Sequence, residues 1–131
     1  MPERKFGTAL LCMDGRIQTQ TREWMLSHCD LRFIDKITEP GMDGFLAERS
    51  KEELEGIRKK LLISINEHGS RYIAVVGHVV SCVGNPAPAD VHREQIKRGV
   101  ELVRSWLSWE LFNDIKIVGL LLNEEWKIEV L

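Results

Sequence analysis

The chain has 131 residues, and its 18 basic and 20 acidic side chains leave a formal net charge of −2. This length fits a single domain, assigned here to residues 1–131, and the even balance of charge argues against a nucleic-acid-binding protein, which needs a clustered basic face. Because no apolar run approaches the ~18 residues of a membrane span and residues 1–7 lack a signal-peptide core, we expect a cytoplasmic protein with no membrane partner.

Apolar runs and turn residues mark the first elements of the chain. Residues 6–13 are almost continuously apolar, as in a buried strand, and residues 31–37 alternate enough to form a second strand. Between them, residues 21–29 predict a short helix. Residues 38–44, with the sequence TEPGMDG, predict a loop after the second strand.

The next element carries the clearest helix signals in the sequence. Ser50 and Glu53 fit a capping box, in which each side chain accepts a hydrogen bond from the other residue's backbone N–H group. Apolar residues then recur at helical spacing, and Gly69 can close the helix. These apolar positions are Leu54, Ile57, Leu61, Leu62 and Ile65.

The second half of the chain predicts one more helix and three more strands. Residues 71–77 and 115–122 are apolar enough to form buried strands, and a Pro-rich loop, residues 82–90, follows the first of them. Asp90 can cap a helix that precedes the second. Residues 126–131 alternate apolar and charged side chains after a short turn, which predicts a strand that pairs antiparallel at an edge of the sheet.

This order of elements predicts an α/β fold with three layers. The sheet is expected to be mostly parallel, with helices on both faces and an antiparallel edge strand at the C-terminus. Ligands bind such sheets beyond the carboxyl ends of the strands, where the strand order reverses. Cys12, Asp14 and Arg16 fall at the end of the first strand, and Gly77 and His78 end the third. These two motifs share one crevice if the two strands are neighbours.

The side chains in the two motifs suit a metal centre. Cys12 and Cys82 offer soft thiolate ligands and His78 offers an imidazole, which together make the three protein ligands of an open tetrahedral Zn²⁺ site. The fourth position then remains for water. Asp14 could ligate the metal or accept a hydrogen bond from that water, and Arg16 could hold the Asp14 carboxylate in a bidentate pair.

Other interpretations of these residues are simpler. Cys12 alone is typical of a small buried apolar residue, and an Asp-x-Arg pair alone is typical of a surface ion pair. A metal-free thiol enzyme with Cys12 as nucleophile and Arg16 lowering its pKa is a further alternative. His92, beyond the Pro-rich loop, could relay protons, but we expect it on the solvated surface. The purely structural interpretations leave unexplained why both motifs end apolar strands on the predicted binding edge, and the thiol enzyme has no obvious basic partner near Cys12 in the sequence.

The segments CMDGR, residues 12–16, and GHVVSC, residues 77–82, resemble the β-class carbonic anhydrases. That family has Cys-x-Asp-x-Arg on one strand and His-x-x-Cys after another. The order of strands and helices is similar over nearly the whole chain, and the short length resembles the compact prokaryotic branch of the family.

This resemblance implies a function and a role for each residue. Cys12, His78 and Cys82 would bind Zn²⁺, and Asp14 and Arg16 would form a catalytic dyad beside the water on the metal. The implied activity is reversible hydration of carbon dioxide to bicarbonate through a zinc-bound hydroxide. The implied assembly is a homodimer or a larger homo-oligomer, with carbon dioxide or bicarbonate as the small-molecule substrate.

The sequence departs from the family pattern in two places. Three residues separate His78 from Cys82, where the family has two, so a one-residue bulge or a helical turn must bring both side chains to one ion. Residues 38–44 lack the Arg-Asn-Ala-Gly segment of many β-class enzymes, although Gly41 and Gly44 leave room for close backbone approach. The alternative to an active enzyme is therefore a related zinc protein with altered or absent hydratase activity, acting as a binding or regulatory module.

Overall fold

The computed structural model describes residues 5–108 and 113–131 of the chain. Residues 1–4, which belong to the segment considered as a signal peptide, lie outside these ranges. In chain order the elements are β1 (Phe6–Leu11), α1 (Gly15–His28), β2 (Phe33–Thr38), α2 (Met42–Glu48), α3 (Lys51–His68), β3 (Tyr72–His78), α4 (Ala89–Ser105), β4 (Lys116–Leu122) and β5 (Ile128–Val130). Within the described ranges, no helix is both long enough and apolar enough to cross a membrane.

The strands form one sheet in the order β2-β1-β3-β4-β5. The first four strands in this order run parallel, with Leu10 of β1 beside Val75 of β3, and β5 pairs antiparallel with β4 at the edge. The predicted α/β class, the mostly parallel sheet and the antiparallel C-terminal edge strand are confirmed. Because β1 and β3 are neighbours, their carboxyl ends meet at the same edge of the sheet.

Helices cover both faces of this sheet, as predicted. Leu10 and Val75 lie in a core cluster with apolar residues of α2, α3 and α4. Their neighbours along the strands, including Ala9 and Ala74, point the other way and pack with Ile17 of α1. This alternation follows from the two-residue period of a strand, which sends successive side chains to opposite faces.

The capping box closes the N-terminus of α3 as the sequence predicts. The Ser50 hydroxyl accepts a hydrogen bond from the Glu53 backbone N–H at 3.3 Å, and Glu53 Oε1 accepts one from the Ser50 N–H, also at 3.3 Å. Gly69 ends the helix with a φ of 71°, in the left-handed region that glycine adopts without a steric cost.

Two predicted helix starts are wrong, and one helix was not predicted. α1 begins at Gly15 rather than at residue 21, because the Asp14 side chain caps it by accepting the Arg16 N–H at 2.9 Å. α2 occupies the end of the segment predicted as a loop, and its seven residues are too few for a periodic signal. Asp90 does not cap α4, since the cap residue is Pro88 and Asp90 lies in the first turn.

Candidate metal centre

Cys12, His78 and Cys82 form a buried cluster at the carboxyl edge of the sheet. Cys12 follows β1 directly, His78 is the last residue of β3, and Cys82 lies in the turn after it. The potential ligand atoms of the three residues all lie within 4.8 Å of one another. Their exposed fractions are 6%, 2% and 3%, so the cluster is shielded from water by the surrounding chain. The neighbouring positions of β1 and β3 bring them together.

One ring nitrogen of His78 has a hydrogen-bond partner, and the other has none. Its Nδ1 lies 3.2 Å from the carbonyl oxygen of Val80, which fits an Nδ1–H donor, whereas Nε2 is buried without a hydrogen-bond partner. Burial lowers the pKa of His78, so the ring is neutral at physiological pH. A neutral imidazole with one N–H held by a backbone carbonyl and one free lone pair is the form that binds a metal.

A turn accommodates the extra residue between His78 and Cys82. The Val79 N–H donates to the Leu122 carbonyl at 3.1 Å, which continues the pairing of β3 with β4. The chain then turns through Ser81, which has a φ of 54° in the left-handed region. The predicted alternatives were a bulge or a helical turn; a non-helical turn with one left-handed residue returns Cys82 to the cluster.

The two thiols lie close together without forming a disulfide. Burial, followed by the adjacent Cys12, raises the pKa of the Cys82 thiol to about 12. The Gly41 backbone N–H donates a hydrogen bond to Cys12 Sγ at 3.4 Å. Two thiolates in so small a buried space repel one another unless a cation lies between them. Together with the free Nε2 of His78, this donor set fits a soft divalent metal such as zinc.

Asp14 and Arg16 form the predicted ion pair. The Arg16 guanidinium donates from Nε to Asp14 Oδ1 at 3.0 Å and from Nη2 to Oδ2 at 2.5 Å. Hydrogen bonds from the Arg16 side chain hold the pKa of Asp14 at about 2. The guanidinium carbon also lies 5.6 Å from the centre of the Trp126 ring, within the range of a cation–π contact. Asp14 is thus a fixed carboxylate two residues from Cys12.

One predicted surface residue lies in the core. His92 has an exposed fraction of 0%, and its Nδ1 lies 2.5 Å from Oδ2 of Asp43, which is itself 1% exposed. The surface prediction is therefore wrong, because α2 packs against this turn of α4 where a loop was expected. The sequence holds a signal for this burial: His92 shares the helical spacing of Ile96 and Val103, both fully buried.

Comparison with known proteins identifies the family and the fold of the chain. Residues 2–131 match the model of a protein family described as "Putative carbonic anhydrase". No curated protein sequence is significantly similar to the chain. Among solved structures, the β-carbonic anhydrase CafA of the fungal pathogen Aspergillus fumigatus is similar, with a TM-score of 0.50 and 10% identity over 97% of this chain and 74% of that one. At this identity the likeness concerns the fold. The chain has the fold of a β-class carbonic anhydrase and belongs to the carbonic anhydrase family that its sequence matches.

Proposed function

We propose that the protein is a zinc-dependent carbonic anhydrase that interconverts carbon dioxide and bicarbonate. The observation that carries this proposal is the buried Cys12, His78 and Cys82 cluster, whose ligand atoms lie within 4.8 Å of one another and whose histidine has an unpartnered Nε2. The Asp14 and Arg16 pair lies at the same end of β1. This set of groups matches the arrangement that the family resemblance implies.

The three residues that would hold the metal are Cys12, His78 and Cys82. Two sulfur donors and one imidazole favour zinc over the hard cations Mg²⁺ and Ca²⁺, which prefer oxygen. Three protein ligands rather than four are typical of a catalytic site. A zinc ion held there would supply a Lewis acid that makes water nucleophilic at moderate pH, as zinc does in carbonic anhydrases.

Asp14 then has the role of an orienting acceptor. Since its pKa is held at about 2, the carboxylate stays ionised and is a weak base at neutral pH. It would accept a hydrogen bond from the attacking water and fix its orientation, while the proton that the water loses would pass to the solvent buffer rather than to Asp14. Arg16 occupies both carboxylate oxygens and restrains Asp14 from turning toward the thiolates.

A shallow depression beside the cluster supports a small apolar substrate. It has a volume of about 400 Å³ and is lined by Val79, Ser81, Cys82, Val83, Pro86 and Ala87. Most of these side chains are apolar, and carbon dioxide has no net charge or dipole moment. The depression therefore offers an approach to Cys82 for a small uncharged molecule.

We also propose that the protein assembles as a homodimer or larger homo-oligomer. β2 lies at the edge of the sheet, and its Phe33 is 49% exposed. An open strand edge with an exposed aromatic side chain is stabilised when another chain covers it. Sedimentation velocity at micromolar concentration tests this proposal, and a monomer under those conditions would contradict it.

The activity is tested by stopped-flow measurement of carbon dioxide hydration with a pH indicator. The zinc-loaded protein should accelerate hydration above the buffer rate, and the chelated protein should not. Cys29→Ser is the matched control, because Cys29 lies outside the cluster and should leave the rate unchanged. Full zinc loading without any turnover would contradict the enzymatic proposal and favour a binding or regulatory module with the same fold.

A further inference from the structure

A second buried histidine also has an unpartnered nitrogen. Among the residues that the structure describes, two buried side-chain polar atoms lack a hydrogen-bond partner, and they are Nε2 of His78 and Nε2 of His92. The metal centre accounts for the first of them. His92 belongs to a separate group of polar side chains that contributes no ligand.

This group, called here the Asp43 cluster, consists of Asp43, Asn85, His92 and Gln95. Asp43 is its centre: Oδ1 accepts a hydrogen bond from Asn85 Nδ2 at 2.9 Å, and Oδ2 lies 2.5 Å from His92 Nδ1. Asn85 also donates to Gln95 Oε1 at 2.7 Å. Asp43, His92 and Gln95 are buried, so these bonds form in a region of low dielectric constant.

The Asp43 cluster connects the elements that surround the metal centre. Asp43 lies in the first turn of α2, His92 in the first turn of α4, and Asn85 in the loop that follows Cys82. The Asp43 carboxyl group also packs directly on the backbone of β3 at Gly77. It lies so close that a Cβ atom at Gly77 would collide with it. Gly77 directly precedes His78, so the cluster touches the backbone next to a metal ligand.

Two short paths of backbone contacts lead from the cluster to the thiols. The Asn85 N–H donates to the Cys82 carbonyl at 3.2 Å. The backbone of Gly84 packs directly on Gly41, since a Cβ atom at Gly84 would lie 2.7 Å from the Gly41 nitrogen. Gly41 in turn donates its N–H to Cys12 Sγ. Asn85 therefore fixes the loop of Cys82 and, through Gly84, the amide that contacts Cys12.

Stability alone does not explain the Asp43 cluster. Replacing both partners of a buried hydrogen-bonded pair with apolar residues of similar shape is often nearly neutral or stabilising. The unpartnered Nε2 of His92 also costs free energy, because a buried polar atom without a partner loses its bonds to water. Apolar residues at positions 43 and 92 could pack α2 against α4, but they could not hold Asn85 by directional hydrogen bonds.

We propose that Asp43, Asn85 and His92 are positioning residues that hold Cys12 and Cys82 in a metal-ready arrangement before the ion binds. The inference rests on the zinc centre of the proposed function, but it does not depend on carbon dioxide hydration. In this arrangement the two thiol segments are already ordered in the folded protein. Metal binding then carries no entropy cost for ordering them, so the metal binds more tightly.

The test compares two substitutions of His92 by their effect on zinc affinity. His92→Asn keeps a hydrogen-bond donor near the position of Nδ1, whereas His92→Leu has none. We expect His92→Leu to weaken zinc binding by about tenfold or more, and His92→Asn to stay within about threefold of the unaltered protein. Zinc affinity is measured by competition with a chelator, and the Co²⁺-substituted proteins are compared by their visible absorption, which reports tetrahedral geometry.

Ser64→Ala is the matched control for a general loss of stability. Ser64 is buried, donates to Asp35 Oδ2 at 2.7 Å and lies 2.6 Å from Thr8 Oγ1, in a network that joins α3 to β1 and β2 away from the thiols. This variant should unfold at lower urea concentration but keep the zinc affinity and the Co²⁺ spectrum of the unaltered protein. Asn85→Ala, at a partly exposed position, provides a second test if His92→Leu fails to fold, with the same expected loss of affinity.

The outcomes separate this inference from the proposed activity. Zinc affinity in His92→Leu or Asn85→Ala within twofold of the unaltered protein would overturn the positioning role, as would an equal loss in Ser64→Ala. An unaltered protein that binds zinc but hydrates no carbon dioxide would contradict the proposed function alone. An unaltered protein that binds no zinc would overturn both.

Discussion

Arg16 contacts both carboxylate oxygens of Asp14 and also the aromatic ring of Trp126. The guanidinium lies 3.0 Å from Oδ1 through Nε and 2.5 Å from Oδ2 through Nη2, and its carbon is 5.6 Å from the centre of the Trp126 ring. Asp14 is restrained further by its bond to the Arg16 N–H at the start of α1. The carboxylate is therefore fixed by the helix N-terminus and by a guanidinium that also contacts the Trp126 ring.

Arg16→Ala should reduce carbon dioxide hydration much more than it reduces zinc content. Without the guanidinium, the Asp14 carboxylate is free to turn toward the metal centre and block access to it. We expect a loss of activity of about 10- to 100-fold with zinc still near one per chain. Stopped-flow rates and elemental analysis of the same sample provide the measurement. Arg16→Lys keeps the charge but not the two-pronged geometry, and it should recover only part of the activity.

Equal losses of zinc and activity in Arg16→Ala would make Arg16 a structural residue. The pKa of Asp14 gives an independent check, because the hydrogen bonds from Arg16 hold it at about 2. Removing the guanidinium should raise that pKa toward the ordinary range of aspartate. NMR titration of the Asp14 carboxyl carbon in both proteins measures this shift.

Cys12→Ser and Cys82→Ser should each lose the bound metal. A serine hydroxyl is a poor ligand for zinc, and the remaining two donors do not hold the ion firmly. We expect zinc content to fall from about one per chain to near zero, and the folded state to lose the stabilisation that metal binding supplies. Cys29→Ser should keep both. Unchanged zinc content in either cluster variant would remove that cysteine from the proposed ligand set.

The sequence predicted the residues of the metal cluster because local patterns place them. The apolar runs that end at Cys12 and His78 mark strands, and parallel strands that are neighbours must present their carboxyl ends at one edge. The position of Cys82 depends instead on the left-handed backbone of Ser81. Serine is not a residue type that indicates this conformation in a sequence. The three residues between His78 and Cys82 indicated that the backbone here departs from the family pattern, but they did not indicate which turn it forms.

The Asp43 cluster was missed because its burial arises from packing between distant segments. Asp43 lies in a seven-residue helix within a segment that contains glycines and a proline, which locally indicates a loop. Its burial depends on Gly77, 34 residues away, having no side chain. His92 and Gln95 are the members that helical periodicity could have found, since both lie on the face of α4 that carries Ile96 and Val103.

Ser81→Gly should stabilise the metal-free protein. The φ of 54° at Ser81 lies in a region that glycine adopts readily and that costs other residues free energy. The greater freedom of glycine in the unfolded chain offsets part of the gain, so we expect about 0.5 kcal/mol. Ser81→Val should destabilise by about 1 kcal/mol, because a β-branched residue fits this region poorly. Urea unfolding of the chelated proteins measures both, and equal stabilities would contradict the strained turn.

Zinc affinity should rise steeply with pH. Burial and the adjacent Cys12 raise the pKa of the Cys82 thiol to about 12, so the metal-free protein keeps this proton throughout the neutral range, and zinc must displace it to bind the thiolate. His78 contributes less to this dependence, because burial lowers its pKa and so favours the neutral ring. Each zinc therefore releases at least one proton, and its dissociation constant should fall at least about tenfold per pH unit between about pH 6.5 and 8.5. Chelator competition across that range measures the slope, and isothermal titration in two buffers of different ionisation enthalpy counts the protons released. A pH-independent dissociation constant would show that Cys82 is already ionised in the metal-free protein or does not bind the ion.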